Sequence, residues 1–569
     1  MEANLSVLDS LLVKNTSRRP LLARRSFLLR CGLATAALMG AAPFPLPRSL
    51  RAQSARPGNP LRLPPELSGD TLTVAPANLA IWPGYSTAVQ AINGSVPGPT
   101  IRVRRGTEFA ARVVNQLAEP LVLHWHGLLA PERMDGHPRD AVAPGQSYQV
   151  RFPVNQRAAT CWYHAHTDQL TAEQAYRGVA GLFIVEDSDE AALGLPSGGH
   201  DLPLVLTDKR SNAQRQLTYA PTMMDVMTGY LGDIVLVNGT PEAWLSVDQG
   251  LYRFRLLNGS NARIFKVGFA DGHPFHLIAT DGGLLPAPVQ VTRVMLAPGQ
   301  RLEILVDFSS YAVGGSVLLQ SLSFPASGMG GMMGGPRQGT EMDLLRCYVD
   351  RAASGAAAPP TTLVPFTPYD RARAQRTRVF TLAMSGMVHT INGQLFNLQR
   401  VDFAVPFGDL ELWEYRNTGT EPHPMQLHAA HCQVVERSSQ AQLPPEDAGW
   451  KDTVLVDAGE TVRVLVRFDA HPGVFVHHCH NLEHEDSGMM QNFEVLPPPP
   501  LAIQQTPGQV KISWPGSAQG FQLEATPWLG AGAAWQPVAA TPVSAGGRWE
   551  ITLTNAAGHH FYRLMKPAF

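Results

Sequence analysis

Three short runs of the chain each hold two histidines separated by one residue: His124-Trp125-His126, His164-Ala165-His166 and His478-Cys479-His480. On an extended strand, successive side chains point to opposite faces. Each run therefore sends both imidazoles one way and its middle residue the other. Neutral imidazole suits copper, zinc, iron and nickel. Strands from two sheets meeting face to face would pool these rings around more than one metal. Unrelated core or surface histidines account poorly for three such runs in one chain.

The third run carries more. Cys479 faces away from its flanking histidines, and His484 and Met489 follow it closely. With His423 from an upstream stretch, this makes two histidines, a thiolate and a weak axial thioether, the ligand set of a blue-copper electron-transfer site. Soft sulfur ligands favour copper, and a buried thiolate tunes its potential. Cys479 is then covalently adjacent to histidines of a second cluster. A rise of ~3.3 Å per residue with outward side chains puts the two sites on the order of 10 Å apart. The upstream stretch, "HPMQLHAAHC" from His423 to Cys432, also supplies His428 and His431, and it holds Gln426 where a further histidine is expected.

Such residues need sheets to position them. The chain has 569 residues, too many for one core, and its 51 glycines and 47 prolines suit many short strands joined by turns. Long amphipathic helical patterns are scarce. The expected fold is all-β: three β-sandwich-like units of a hundred-odd residues plus a small C-terminal β-domain. The domains are expected at residues 55–195, 196–355 and 375–496, with a linker at 356–374, a proline spacer at 497–501 and the appendage at 502–569. In the appendage, Trp514, Phe521, Trp528, Trp535 and Trp549 read as core and sheet residues rather than a carbohydrate platform.

Residues 1–54 read as a signal peptide. They carry eight Lys/Arg against two acidic residues, and Arg24-Arg25 precedes Ser26-Phe27-Leu28 and a short apolar run, which resembles a twin-arginine export signal. Removing this leader takes the formal charge from −2 to about −8, which invites neither nucleic acid nor anionic lipid. No later segment has 18 or more consecutive apolar residues, so no stable membrane span is expected in the mature chain. Cys31 leaves with the leader. The remaining four, Cys161, Cys347, Cys432 and Cys479, are too few for a disulfide scaffold.

Four segments, "LHWHG", "CWYHAH", "HPMQLH" and "HCHNLEHEDSGMM", resemble the signature of the three-domain multicopper oxidases, most of all the bacterial copper-efflux (cuprous) oxidases and bacterial laccases. The resemblance covers roughly residues 65–496 and leaves out the C-terminal β-domain. It implies that the three sandwiches are cupredoxin-like Greek-key β-sandwich domains, and that the chain binds up to four coppers. His423, Cys479, His484 and Met489 match type 1 ligands; His126, His164, His166, His428, His478 and His480 match the type 3 pair; His124 matches one type 2 ligand. Asp135 and Glu485 match the carboxylates that help deliver protons. The implied reaction is one-electron oxidation of a reductant, phenolic or Cu(I), at the type 1 copper, coupled to four-electron reduction of O2 to water at a trinuclear cluster. The twin-arginine machinery and O2 are the other expected partners, and the periplasm or exterior is the expected location.

Two departures from the family pattern stand out. Gln426 occupies the second type 2 position, and an amide oxygen is a harder, weaker donor for copper than imidazole. The expected outcome is a weak type 2 copper on His124 and water, with Gln426 weak or peripheral. The alternatives are that His431 swings in, or that this copper is absent. The other departure is the short methionine segment with Met329, Met332 and Met333, which reads either as a Cu(I)-collecting loop or as a glycine-rich loop with incidental methionines. It lies before the 356–374 linker, and only Glu421 supplies acid just ahead of His423, so phenol oxidation is more secure than Cu(I) oxidation. The competing reading is a copper-binding or structural protein of the same fold without turnover, since some members have lost their ligands.

Overall fold

The computed structural model describes residues 56–569, apart from 329–334, 354–357, 519, 531–532, 555–559 and 568–569. The expected signal peptide and Met329, Met332 and Met333 lie outside the described residues. Strands dominate, in four successive pairs of sheets. The first pair sets a four-stranded sheet ordered Thr87–Ile92, Thr71–Leu79, Thr107–Asn115, Ser147–Val154 against one ordered Gly98–Arg104, Ala180–Glu186, Ala159–Ala165, Leu123–His124. Seven- and six-stranded sheets form the second pair, two five-stranded sheets the third, and four- and three-stranded sheets the C-terminal appendage. Each pair encloses its own apolar core.

Local pattern explains most strands. Thr107–Asn115 alternates exposed and buried positions along its length, as expected of a sheet with one face in the core. The histidine-bearing strands break that rule. Every residue of Ala159–Ala165 and of His423–Leu427 is buried, as are the last five of Gly473–Cys479. One face of each strand belongs to its own core, and the other is covered by a neighbouring sandwich. Trp125, Cys161 and Ala165 lie in the first core and Cys479 in the third, so the middle residues point inward and the histidines point across.

Parallel pairs such as Gly98–Arg104 with Ala180–Glu186, and Arg376–Ser385 with Leu410–Asn417, require the chain to cross between sheets. One feature departs from the sequence reading. Asn59–Pro60, assigned with the first domain, pairs in parallel with Ala243–Trp244 of the second sandwich. Two residues carry no periodicity, so only tertiary pairing reveals where they belong. In the appendage, Trp514 is buried, and Phe521 and Trp549 pack on the same core. Trp535 lies under the Arg563 guanidinium at 4.4 Å. Trp528 is 49% exposed, which corrects its expected core placement: it follows the Gln522–Thr526 strand and is free of its alternation. Lys566 pairs with Asp409 and fastens the appendage to the third sandwich. Among the described residues, no helix is long and apolar enough to cross a membrane.

Candidate metal centre

Between the first and third sandwiches, the ligand atoms of His126, His164 and His480 lie within 4.8 Å of one another, and so do those of His166, His428 and His478. All six rings are buried. In the first triad, His126 Nε2 is held by Asp452 Oδ1 and Thr453 Oγ1, each at 3.0 Å, leaving Nδ1 without a partner. His164 donates Nδ1–H to its neighbour's carbonyl, Ala165 O, at 2.8 Å, and its Nε2 is unpaired. His480 has neither ring nitrogen paired. Trp162 stacks on His164 at 4.1 Å. The second sandwich closes the group through Gly299, at φ +81°, where a Cβ would come within 2.8 Å of His480 and 3.1 Å of His126. Only glycine combines that backbone with that approach.

In the second triad, His428 hydrogen-bonds Asp135 Oδ2 through Nδ1 at 2.7 Å. His478 Nδ1 lies 3.2 Å from Cys479 O and 3.1 Å from Glu485 Oε2. The Nε2 atoms of His428 and His166 each stand 3.3 Å from His478 Nε2. With the protons of His428 and His478 committed to Nδ1, their Nε2 atoms face each other as lone pairs, which is the arrangement a cation between them would satisfy.

Burial, reinforced by neighbouring histidines, pushes His124, His164 and His428 well below the ordinary imidazole range, and it carries His126 and His166 down to about 4. Neutral imidazoles are the ligating form. The two carboxylates divide. Burial, helped by Asp140, pushes Asp135 well above its usual value. Burial would also raise Glu485, but His478 and His166 outweigh it and hold the group down at about 2. The two environments thus favour the protonated form of Asp135 and the ionised form of Glu485.

A separate site lies at the end of the third core. Cys479 Sγ is 3.4 Å from His423 Nδ1 and 3.6 Å from His484 Nδ1. Met489, fully buried, belongs to the same core. His484 Nε2–H donates to Met227 O at 3.0 Å, which aims its Nδ1 at the sulfur. The Met223–Thr228 helix thus lies over this site, and its first residue is 57% exposed. Sequence reasoning missed His389, whose ring lies 3.9 Å from that of His484 and 4.8 Å from that of His423. A lone histidine in "MVHTING" gives no spacing signal. Sequence reasoning also missed Asp452 and Arg301, paired at 2.8 Å behind His126, because nothing in their local sequence places them there.

Models of the multicopper oxidases match residues 73–190, 207–320 and 366–499. The chain belongs to the multicopper oxidase family. It is 35% identical to bilirubin oxidase of Albifimbria verrucaria over 449 residues, 74% of this chain and 76% of that one. It is 33% identical to the cell division protein FtsP of Escherichia coli K12 over 503 residues, 84% of this chain and all of that one. Among solved structures, McoA multicopper oxidase of Aquifex aeolicus superposes with a TM-score of 0.72 at 35% identity, over 77% of this chain and 100% of that one. A laccase-like multicopper oxidase CueO of Ochrobactrum sp., described with oxidase activity towards lignin model compounds, gives 0.69 at 33%, over 77% and 100%.

Copper is therefore the cofactor, and the multicopper oxidase residues can be tested against it position by position. Both triads fit: the first has buried imidazole nitrogens with no partner, and the second has Nε2 atoms that face one another at 3.3 Å. The Cys479 group fits too, with nitrogen and sulfur donors converging in an apolar shell. The remaining position does not. His124 Nδ1 bonds the Asp135 backbone carbonyl at 2.7 Å, and its Nε2 is already met at 3.0 Å by the Gln426 amide nitrogen. His431 does not substitute. Ala429 takes φ 70° after His428 and turns the chain, and His431 Nε2 bonds Gly127 O at 3.0 Å. Cys432 is a buried core residue.

Proposed function

We propose that this multicopper oxidase is an exported enzyme that takes electrons singly from a small reductant at the Cys479 site and passes them to dioxygen at the paired triads. The observation that carries this reading is the run His478-Cys479-His480. Its middle residue belongs to the sulfur site, and its flanking residues belong one to each triad. With copper held at these residues, the backbone from His478 to His480 would link the sulfur directly to both triads. Bound copper supplies the one-electron steps and the binding of dioxygen.

The chain supplies the rest. His423, Cys479, His484 and Met489 serve as the type 1 ligands, and the two triads as the type 3 ligands. Reduction of O2 to two waters consumes four electrons and four protons. Asp135, with its raised proton affinity beside His428, holds a proton there, and Glu485 accepts and relays protons beside His478 and His166. The exposed end of the Met223–Thr228 helix offers the approach for the reductant.

A phenolic or other organic reductant is favoured over Cu(I). Glu421, the acid just ahead of His423, is only 3% exposed and so does not face solvent as a cation collector. Relatives named for bilirubin and lignin model compounds point the same way. The Arg24-Arg25 leader supports twin-arginine export. The test is oxygen uptake by the copper-loaded chain with a phenol and, separately, with Cu(I). A blue colour that bleaches under anaerobic reductant and returns with O2 consumption is expected. A second reading, an exported copper protein without turnover, draws on the FtsP relatives and on Gln426. Blue protein that consumes no oxygen with either reductant would establish it.

A further inference from the structure

We infer that the His124/Gln426 position, where the family pattern calls for the type 2 copper, is closed by the Gln426 amide, so that this chain holds copper only at the Cys479 site and the two triads. The inference rests on the oxidase reading for those other sites. A backbone carbonyl only accepts, so the 2.7 Å contact from His124 Nδ1 to Asp135 O fixes the proton on Nδ1. The single lone pair left for a metal is on Nε2. Gln426 Nε2 lies 3.0 Å from it. An amide oxygen turned toward the same lone pair would repel it, so the nitrogen-inward orientation is the one the imidazole selects. Gln426 is 1% exposed, and its Oε1 has no partner. The side chain leaves its oxygen buried and unpaired while keeping the bond to His124.

Rotating the amide would not rebuild the site. Copper would exchange that hydrogen bond for one imidazole nitrogen and one neutral amide oxygen. Among the described residues, the Asp135 carboxylate is the other donor grouped with His124 and His428, but its unpaired Oδ1 lies 3.7 Å from the protonated Nδ1 of His124, not at the bare Nε2. His428, the nearest ring, lies flat on His124 at 3.7 Å and 19°, and its own Nε2 points to His478. Each triad offers three imidazoles. Nitrogen donors hold copper better than amide oxygen, so copper fills the triads and leaves His124 as a positioning residue, stacked on His428 and fixed at both ring nitrogens.

The test uses the full-length mature protein, purified, loaded with excess Cu(II) and desalted, then measured for metal content and paramagnetic copper. The expected result is about three coppers per chain with about one paramagnetic signal, that of the thiolate site, because a coupled pair is silent. Gln426→His should gain a fourth copper and a second signal. Gln426→Leu should keep the wild-type copper count, since the amide holds no metal. A second paramagnetic copper in the wild type that disappears in Gln426→Leu would overturn the inference, as would a folded Gln426→His that gains no copper. If Gln426→His fails to fold, the wild type and Gln426→Leu decide alone. Absence of oxygen uptake in a three-copper protein would sink the oxidase reading and leave this inference standing; four coppers with normal uptake would do the reverse.

Discussion

Replacing Cys479 by alanine should change the number of protons released on copper uptake by about one per chain. The Cys479 thiol is fully buried, and burial pushes its proton affinity far above the ordinary cysteine range. The one local group opposing this is the Asn481 backbone N–H, at 3.4 Å from the sulfur. In the copper-free chain the thiol therefore keeps its proton across pH 5–8. Copper binds thiolate, so loading the site must expel that proton. His423 and His484 are pushed the other way by burial, well below the usual imidazole value, and have none to lose. The sign follows: acid competes with copper for sulfur, and affinity rises with pH. One proton per metal makes the affinity change about tenfold, or about 1.4 kcal/mol, per pH unit. From pH 6 to 8 the site should tighten about a hundredfold. The assay is an anaerobic Cu(I) titration against a colorimetric chelator at several pH values, with proton release followed by an indicator in weak buffer. Cu(I) is used because it does not acidify bound water as a divalent ion does. The difference between wild type and Cys479→Ala isolates the sulfur from every other titrating group. Equal proton release and equal slopes in the two proteins would refute the reasoning.

Two further outcomes follow from the same geometry. Asp135→Ala removes the acceptor of the 2.7 Å bond from His428 Nδ1; oxygen uptake should fall about 10- to 100-fold, while the blue colour of the Cys479 site stays, and loss of colour would show that Asp135 acts on both sites. Arg301→Leu leaves Asp452 buried without the guanidinium that holds it at 2.8 Å, so chemical denaturation of the copper-free chain should show a loss of about 3–5 kcal/mol, and a loss under about 1 kcal/mol would count against a structural role for the pair.

Much of the centre was legible because its rule is local. Two-residue alternation on a strand needs no knowledge of the rest of the chain, and it sends Trp125 and Ala165 into a core and their neighbours across to the other sandwich. The grouping of Cys479 with His423 and His484 was readable from residue type, because few metals call for that mixture of donors. His389 was not readable, being one histidine with no partner nearby in sequence, and its place beside His484 depends on a hydrogen bond to Met227, 162 residues away. Asn59–Pro60 joined the wrong neighbour in the sequence reading because a two-residue edge strand has no pattern to follow.

Gln426 divides the two kinds of knowledge. Sequence by itself determined that an amide stands where the family pattern calls for imidazole, while the other eleven positions of that pattern are kept. It left open whether the amide would serve as a poor ligand, yield to His431 or close the position. The inferred closure rests on tertiary contacts that no local pattern encodes. The Asp135 carbonyl fixes which nitrogen of His124 is bare, Gln426 reaches it from 302 residues away, and His431 is turned to another carbonyl. The physical reason is that a ligand is defined by where its lone pair points, and here that direction is set by hydrogen bonds between sandwiches rather than by neighbours along the chain.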